Sequence, residues 1–270
     1  MTQTVDLVVS GGSIEGICRG IGFLKAVLGK GYSVDTCVGN SAGSLVLGMW
    51  ACGKSTTELE SWLSEVQFTK YVNTKWFSKL RFLFKGHLSN GKKYLKMLRE
   101  QTHYKCFKDL DINLRCVGWN KNRKRLEVFD KTRTPNMEVA LAIRISTSLP
   151  GGFRYVHYQG DWYADGGIEA HYPIHYLSGE RNTLGLLLGH EDVYRTEVNP
   201  DAGILSILED TISDLVDANV HYSEKLAPTN VKTWAMDDSK VGTFDFNLDV
   251  AKRKQLVDET YTRVTKGLGD

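Results

Sequence analysis

Thr36-Cys37-Val38-Gly39-Asn40-Ser41-Ala42-Gly43-Ser44-Leu45-Val46-Leu47-Gly48-Met49-Trp50-Ala51 is the stretch that decides the fold class. A short apolar run ends at Val38, a tight turn of small and polar residues follows, and Ala42 to Ala51 has the apolar composition of a buried helix. Toward the N-terminus the same alternation occurs once more. Val5 to Val9 is an apolar run stopped by Gly11-Gly12, and from Gly16 to Lys30 the residues Ile17, Ile21, Leu24 and Leu28 recur at helical spacing. Strand, glycine turn, helix, strand, turn, helix is the pattern of an α/β fold, a mostly parallel central sheet sandwiched by helices in three layers.

Further along, Ser55 and Thr56 cap a helix over Glu58 to Val66, within a stretch from 55 to 105 that reads as mainly helical. Leu114 to Val117 and Leu126 to Phe129 read as strands joined by a polar turn at Asn120-Lys121-Asn122. Pro135 introduces a helix over Asn136 to Arg144, and Pro150 to Pro173 reads as irregular and glycine-rich. Thr183 to Leu188 and Val231 to Met236 are strands, with helices at about 203–221 and 249–267. With no repeat, linker or low-complexity tract, the expectation is one domain over 1–270, its core at about 5–190 and a C-terminal extension from about 200.

Composition narrows the function. The chain has 270 residues, 41% hydrophobic and 24% charged, which excludes a disordered polypeptide. A net charge of +2 gives no support for a nucleic-acid partner. Cys18, Cys37, Cys52, Cys106 and Cys116 are odd in number and lack a CxxC pair, so they read as reduced, mostly buried thiols of a cytoplasmic protein. No basic leader precedes the first strand and no apolar run is long enough to span a bilayer, so neither a signal peptide nor a transmembrane helix is expected. Metal-ligand spacing is absent, and no metal or cofactor is expected.

Gly39-Asn40-Ser41-Ala42-Gly43 fits G-x-S-x-G, a nucleophile elbow. A serine at the apex of a sharp strand-to-helix turn holds its hydroxyl clear of the sheet, and the flanking glycines relieve the close approach of strand and helix. Ser10-Gly11-Gly12-Ser13-Ile14-Glu15-Gly16 occupies the first strand-to-helix junction, which in a parallel sheet opens at the same edge. Its backbone N–H groups, those of Gly11, Gly12 and Ser13, suit an oxyanion hole. A nucleotide-phosphate loop would need G-x-G-x-x-G or a Gly-Lys-Ser/Thr ending, and neither is present. Two kinds of base are open to Ser41. His157, His171, His175, His190 and His221 follow it and would complete a Ser-Asp-His triad. Asp165, followed by Gly166-Gly167 and preceded by Trp162-Tyr163, would gain basicity if desolvated.

These elements together resemble the patatin-like phospholipases, a family whose catalytic unit is a Ser-Asp dyad without histidine. The glycine-rich loop at Gly11–Gly16, the elbow at Gly39–Gly43 and Asp165-Gly166-Gly167 occur in the family's order. Gly22-Phe23-Leu24, the segment Ala142 to Pro150 with Phe153 beyond it, and Pro173 downstream of His171 extend the similarity over about 5–190. The resemblance implies Ser41 as nucleophile, Asp165 as base, and a phospholipid or other acyl-ester lipid as substrate. It also leaves two readings beside that one, a Ser-Asp-His esterase and a catalytically silent member that binds lipid or a partner. The departure lies in the loop: the family's third glycine is Ser13 here, and its basic position is Glu15. Arg19, one helical turn later, is placed to approach the same region.

Lys75-Trp76-Phe77-Ser78-Lys79-Leu80-Arg81-Phe82-Leu83-Phe84-Lys85 interleaves aromatic residues with cations. A basic amphipathic helix of this type can lie at a bilayer surface with Trp76 and Phe77 in contact with lipid; an ordinary core-packed helix with its cations in solvent is the slightly preferred reading. Lys92, Lys93 and Lys96 would add to a basic surface.

Overall fold

In the first strand, β1 (Thr4–Val9), every residue after Thr4 is buried, because a parallel strand between two covered faces meets no water on either side. Its side chains divide by parity. Val5, Leu7 and Val9 enter a large core shared with the helices, whereas Val8 joins Val38, Val117, Tyr172 and Val220 on the opposite face. The computed structural model describes residues 3–72, 86–189, 227–236 and 246–269, with positions 207, 211, 214, 215, 218–220, 222, 223 and 225.

After β1 come α1 (Ser13–Gly29), β2 (Ser33–Gly39), α2 (Ala42–Ala51), α3 (Thr56–Glu65), β3 (His87–Ser89), α4 (Lys92–Gln101), β4 (Asn113–Asn120) and β5 (Arg125–Phe129). They are followed by α5 (Val139–Ser146), β6 (Gly151–Phe153), β7 (Val156–Tyr158), β8 (Asp161–Asp165), β9 (Thr183–Leu188), β10 (Val231–Met236) and α6 (Val250–Leu268). The main sheet runs β10-β9-β1-β2-β4-β8-β7, with β5 also on β4. Strands β10, β9, β1, β2 and β4 are mutually parallel, and β5, β8 and β7 join antiparallel. It is thus a mostly parallel sheet flanked by helices.

One register sets up everything that follows. Cys116 of β4 pairs with both Gly39 of β2 and Phe129 of β5, while Gly118 pairs with both Asp165 of β8 and Glu127 of β5. A strand has two edges, so β5 takes one and β2 and β8 share the other in tandem. Their C-terminal ends therefore face each other, two residues apart along β4, which is roughly 7 Å.

Local signals explain most boundaries. Ser55 and Glu58 form the reciprocal cap that opens α3, and the Asp249 side chain caps α6. Helix α6 packs closely on α1: a Cβ on Gly22 would come within 2.4 Å of the Val257 carbonyl oxygen. Three expectations need correction. Helix α5 begins at Val139 rather than Asn136, because Pro135 and Asn136 lie in a turn closed by Met137 N–H on the Thr134 carbonyl, and Glu138 bridges to Cys106. The stretch read as irregular contains β6, β7 and β8, strands of three, three and five residues in which only His157 and Trp162 are exposed. The 55–105 stretch likewise holds β3, which pairs with β6. The described positions between 207 and 225 are helical. All five cysteines are free, and Cys106 alone is not fully buried. Lys92, Lys93 and Lys96 lie on the solvated face of α4. Among the described residues no helix is long and apolar enough to cross a membrane. Trp76 and Phe77 lie outside the described residues.

Candidate active site

Ser41 stands between β2 and α2 at φ 48°, ψ −114°, a conformation that L-residues rarely adopt. Several contacts hold it there. Gly43 N–H donates to the carbonyls of Ser10 (3.1 Å) and Asn40 (2.8 Å), tying the turn to the end of β1. Ser44 Oγ donates to the Gly39 carbonyl (2.6 Å). With that proton committed, the 2.9 Å contact between Ser44 and Ser146 is a donation from Ser146 Oγ, which itself accepts from Ser41 N–H at 2.9 Å. Ser146, on α5, thus pins the elbow from across the fold. Its neighbour Arg144 is buried and donates to Ser148 Oγ (2.6 Å) and the Arg154 carbonyl (2.8 Å), fixing the segment that leads to β6.

Asp165 ends β8 where the shared edge of β4 brings it up to the elbow. Its N–H donates to the Ser148 carbonyl (3.0 Å), and its Oδ1 accepts from Gly167 N–H (2.8 Å). The carboxyl group is buried. Burial pushes it up from 3.8 to about 6, against the pull of Gly167 N–H and of the Ser41 and Asn40 side chains. Those two side chains stabilise the carboxylate yet leave Oδ2 outside ordinary hydrogen-bond geometry, and the buried Asn40 amide is in the same condition.

The loop after β1 gives way to α1 with Gly12 at its N-cap, φ 135°, and Ser13 at φ 54°. Of the three expected oxyanion donors, Gly11 is corrected: its N–H already donates to the His171 carbonyl at 3.1 Å. Gly12 N–H donates to nothing among the described residues, and Ser13 opens the helix, whose first turn carries the positive end of the dipole. Arg19 approaches the loop's acidic position itself. Its Nε donates to Glu15 at 2.6 Å, with both side chains largely buried, and its Nη1 reaches Thr260 at 3.3 Å. The anion at the loop position is therefore matched from within the protein.

His171 is buried beside the loop. Its Nε2 lies 2.6 Å from the Leu188 carbonyl and so carries the ring proton, and burial lowers its pKa to about 4, keeping the ring neutral. His157 is exposed on β7, against Trp162. His175 follows Ile174 in a short 3₁₀ turn, and His190 and His221 fall outside the described residues. Ser41, Asp165, Gly12 and Ser13 line one cavity of about 480 Å³, whose walls include Ile14, Leu45, Phe68, Tyr94, Phe153 and Phe246. It has the size and apolar lining of a small-molecule site.

Several contributors carry no motif. Asn219, beyond every recognisable segment, donates to the carbonyls of Gly167 (3.3 Å) and Ile168 (3.0 Å) and so steadies the turn after Asp165. Met236 and Phe246 add C-terminal residues to the cavity wall.

Comparison with known proteins bears on the family and the fold. The family model described as patatin-like phospholipase matches residues 7–178. The uncharacterized protein R571 of Acanthamoeba polyphaga mimivirus is 29% identical over 71% of this chain and 67% of its own length. Probable lipid hydrolase 463L of Invertebrate iridescent virus 6 is 25% identical over 62% of this chain and 61% of its own. Among solved structures, VipD of Legionella pneumophila superposes with a TM-score of 0.55 at 13% identity, covering 98% of this chain and 67% of VipD. ExoU of Pseudomonas aeruginosa, in complex with SpcU, gives 0.51 at 17% identity, and the chain spans 52% of ExoU. At such identities the two structures speak for the fold alone.

Proposed function

Since the chain belongs to the patatin-like phospholipase family, we propose that it hydrolyses acyl esters of lipids, phospholipids among them, with Ser41 as nucleophile and Asp165 as its base. The observation that carries this reading is the tandem seating of β2 and β8 on one edge of β4, which delivers a strained serine and a desolvated carboxylate to the same cavity. Asp165 takes the Ser41 hydroxyl proton as Oγ bonds to the ester carbonyl carbon. The resulting oxyanion accepts from the N–H groups of Gly12 and Ser13, donors worth roughly 3 kcal/mol each where one has been removed in other enzymes. As the intermediate collapses, the C–O bond to the alcohol breaks and Asp165 returns the proton to the leaving oxygen. Water, deprotonated by the same carboxylate, then releases the acid from acyl-Ser41. A raised pKa suits this role, since a carboxyl near 6 is ionised at neutral pH yet more basic than an exposed one. A histidine triad has less support, because the ring nitrogen His171 would need for a relay is engaged by Leu188.

A fluorophosphonate probe tests the serine directly. The protein should be labelled at Ser41, with a rate that climbs through pH about 6 and levels off above it as Asp165 ionises, and Ser41→Ala should not be labelled. Absence of labelling in the folded protein would favour a silent, lipid-binding member and sink the proposal.

A further inference from the structure

The turn between β4 and β5 and the segment that leads into the hairpin of β7 and β8 both reach the cavity: Lys121 and Tyr155 belong to its lining and are exposed, which puts them at its rim. Lys121 N–H donates to the Trp162 carbonyl and Trp162 N–H to the Asn122 side chain, each at 2.8 Å, so turn and hairpin form one surface. Tyr155 and Trp162 are exposed, at 36% and 38%. Each ring has a cation against it: Lys121 Nζ lies 4.7 Å from the Tyr155 centroid, and the Arg154 guanidinium lies 5.7 Å from that of Trp162. His157 packs on Trp162 as well, at 4.9 Å. The surface carries five cations, Lys121, Arg123, Lys124, Arg125 and Arg154, against two acids, Glu127 and Asp161. Arg123 pairs with Asp161 and Arg125 with Glu127, while Lys121, Lys124 and Arg154 make no ion pair among the described residues.

An excess of unpaired cations around exposed Tyr and Trp side chains is the chemistry of the bilayer interface, where such rings settle among head groups and cations meet anionic lipid. A single-stranded nucleic acid would need open ring faces for stacking, and here Lys121 lies over one face of Tyr155, while Arg154 and a tilted His157 pack against Trp162. We propose that this face docks on bilayers containing anionic lipid and sets the cavity mouth against the head-group layer. Only the identity of what then enters the cavity rests on the hydrolase reading; the docking itself does not.

The two are therefore tested apart. In the Ser41→Ala protein, which leaves lipid intact, sedimentation with vesicles of phosphatidylcholine plus about a third phosphatidylserine should show binding that weakens with salt, and vesicles of phosphatidylcholine alone should bind less. Adding Trp162→Ala, Lys124→Glu and Arg154→Glu should weaken binding by about tenfold or more. In the active protein the same three changes should slow hydrolysis of those vesicles while leaving a dispersed short-chain ester untouched, since none of the three side chains lines the cavity. The proposal is overturned if the protein ignores anionic vesicles, if the substituted protein binds them equally well, if a single-stranded oligonucleotide is bound in their place, or if the three changes dissolve a dimer. A protein that docks as expected but hydrolyses no ester would instead refute the hydrolase reading alone.

Discussion

Asp165→Asn should lower ester hydrolysis by about 10²- to 10⁴-fold, the range expected when a positioned general base is lost, while making the folded protein more stable at neutral pH. The first half follows from the absence of any other carboxylate in contact with Ser41 among the described residues. The second follows from the sign of the shift. A carboxyl raised from 3.8 to about 6 on folding prefers its protonated form in the native state. Its stabilising contribution is fully present below pH about 4 and disappears as pH climbs through 6. Above that, the buried charge costs about 3 kcal/mol, taking 1.36 kcal/mol per pH unit. The amide of asparagine keeps an oxygen for Gly167 N–H and carries no charge, so it should recover part of that cost as a higher Tm. His171→Asn is the control: the ring is neutral and bound to Leu188, so turnover should fall far less than for Asp165→Asn. Near-normal activity in Asp165→Asn, with activity lost in a His171 variant, would show that the base has been misassigned.

Much of this arrangement is legible in the chain because buried parallel strands leave apolar runs bounded by glycine. Helix α2 and strands β9 and β10 fall where the sequence places them, and β1 differs by one residue. Strands β6, β7 and β8 escape notice for a physical reason. They are short, and where a strand lies at the sheet edge one side of it is solvated, so neither an apolar run nor clean alternation survives. The candidate site divides in the same way. Ser41 and Asp165 stand in local turns that glycine marks. The groups that hold them do not: Ser146 meets Ser41 across 105 residues of chain, Asn219 meets Ile168 across 51, and Gly11 N–H is taken by a carbonyl that only the folded chain brings near. Arg19 illustrates the same limit, since its position in α1 predicts reach toward Glu15 but not the ion pair that the two form or the contact with Thr260.

Gly43→Ala should fail to accumulate as a folded protein, or should lose at least about 4 kcal/mol of stability, well beyond the usual range for a single methyl group. The added Cβ would lie 2.2 Å from the Val9 carbonyl oxygen, 2.7 Å from its carbon and 2.8 Å from the Ser10 oxygen. All three are backbone atoms at the end of β1, which is held on one side by β2 and on the other by β9, so none can yield without disturbing the middle of the sheet. Shifting α2 instead would break the Gly43 N–H bonds to Ser10 and Asn40 and carry Ser41 away from Asp165. Gly29→Ala, at the end of α1, is the matched comparison: its Cβ would meet nothing within 4 Å, and alanine favours a helix over glycine by about 1 kcal/mol. Thermal denaturation of the two should therefore diverge by 10 °C or so at the least, taking about 2–4 °C per kcal/mol for a chain somewhat shorter than this one. If Gly43→Ala melts within a few degrees of the parent protein and still labels at Ser41, then β1 and α2 are not in the close contact that holds the elbow in its strained form.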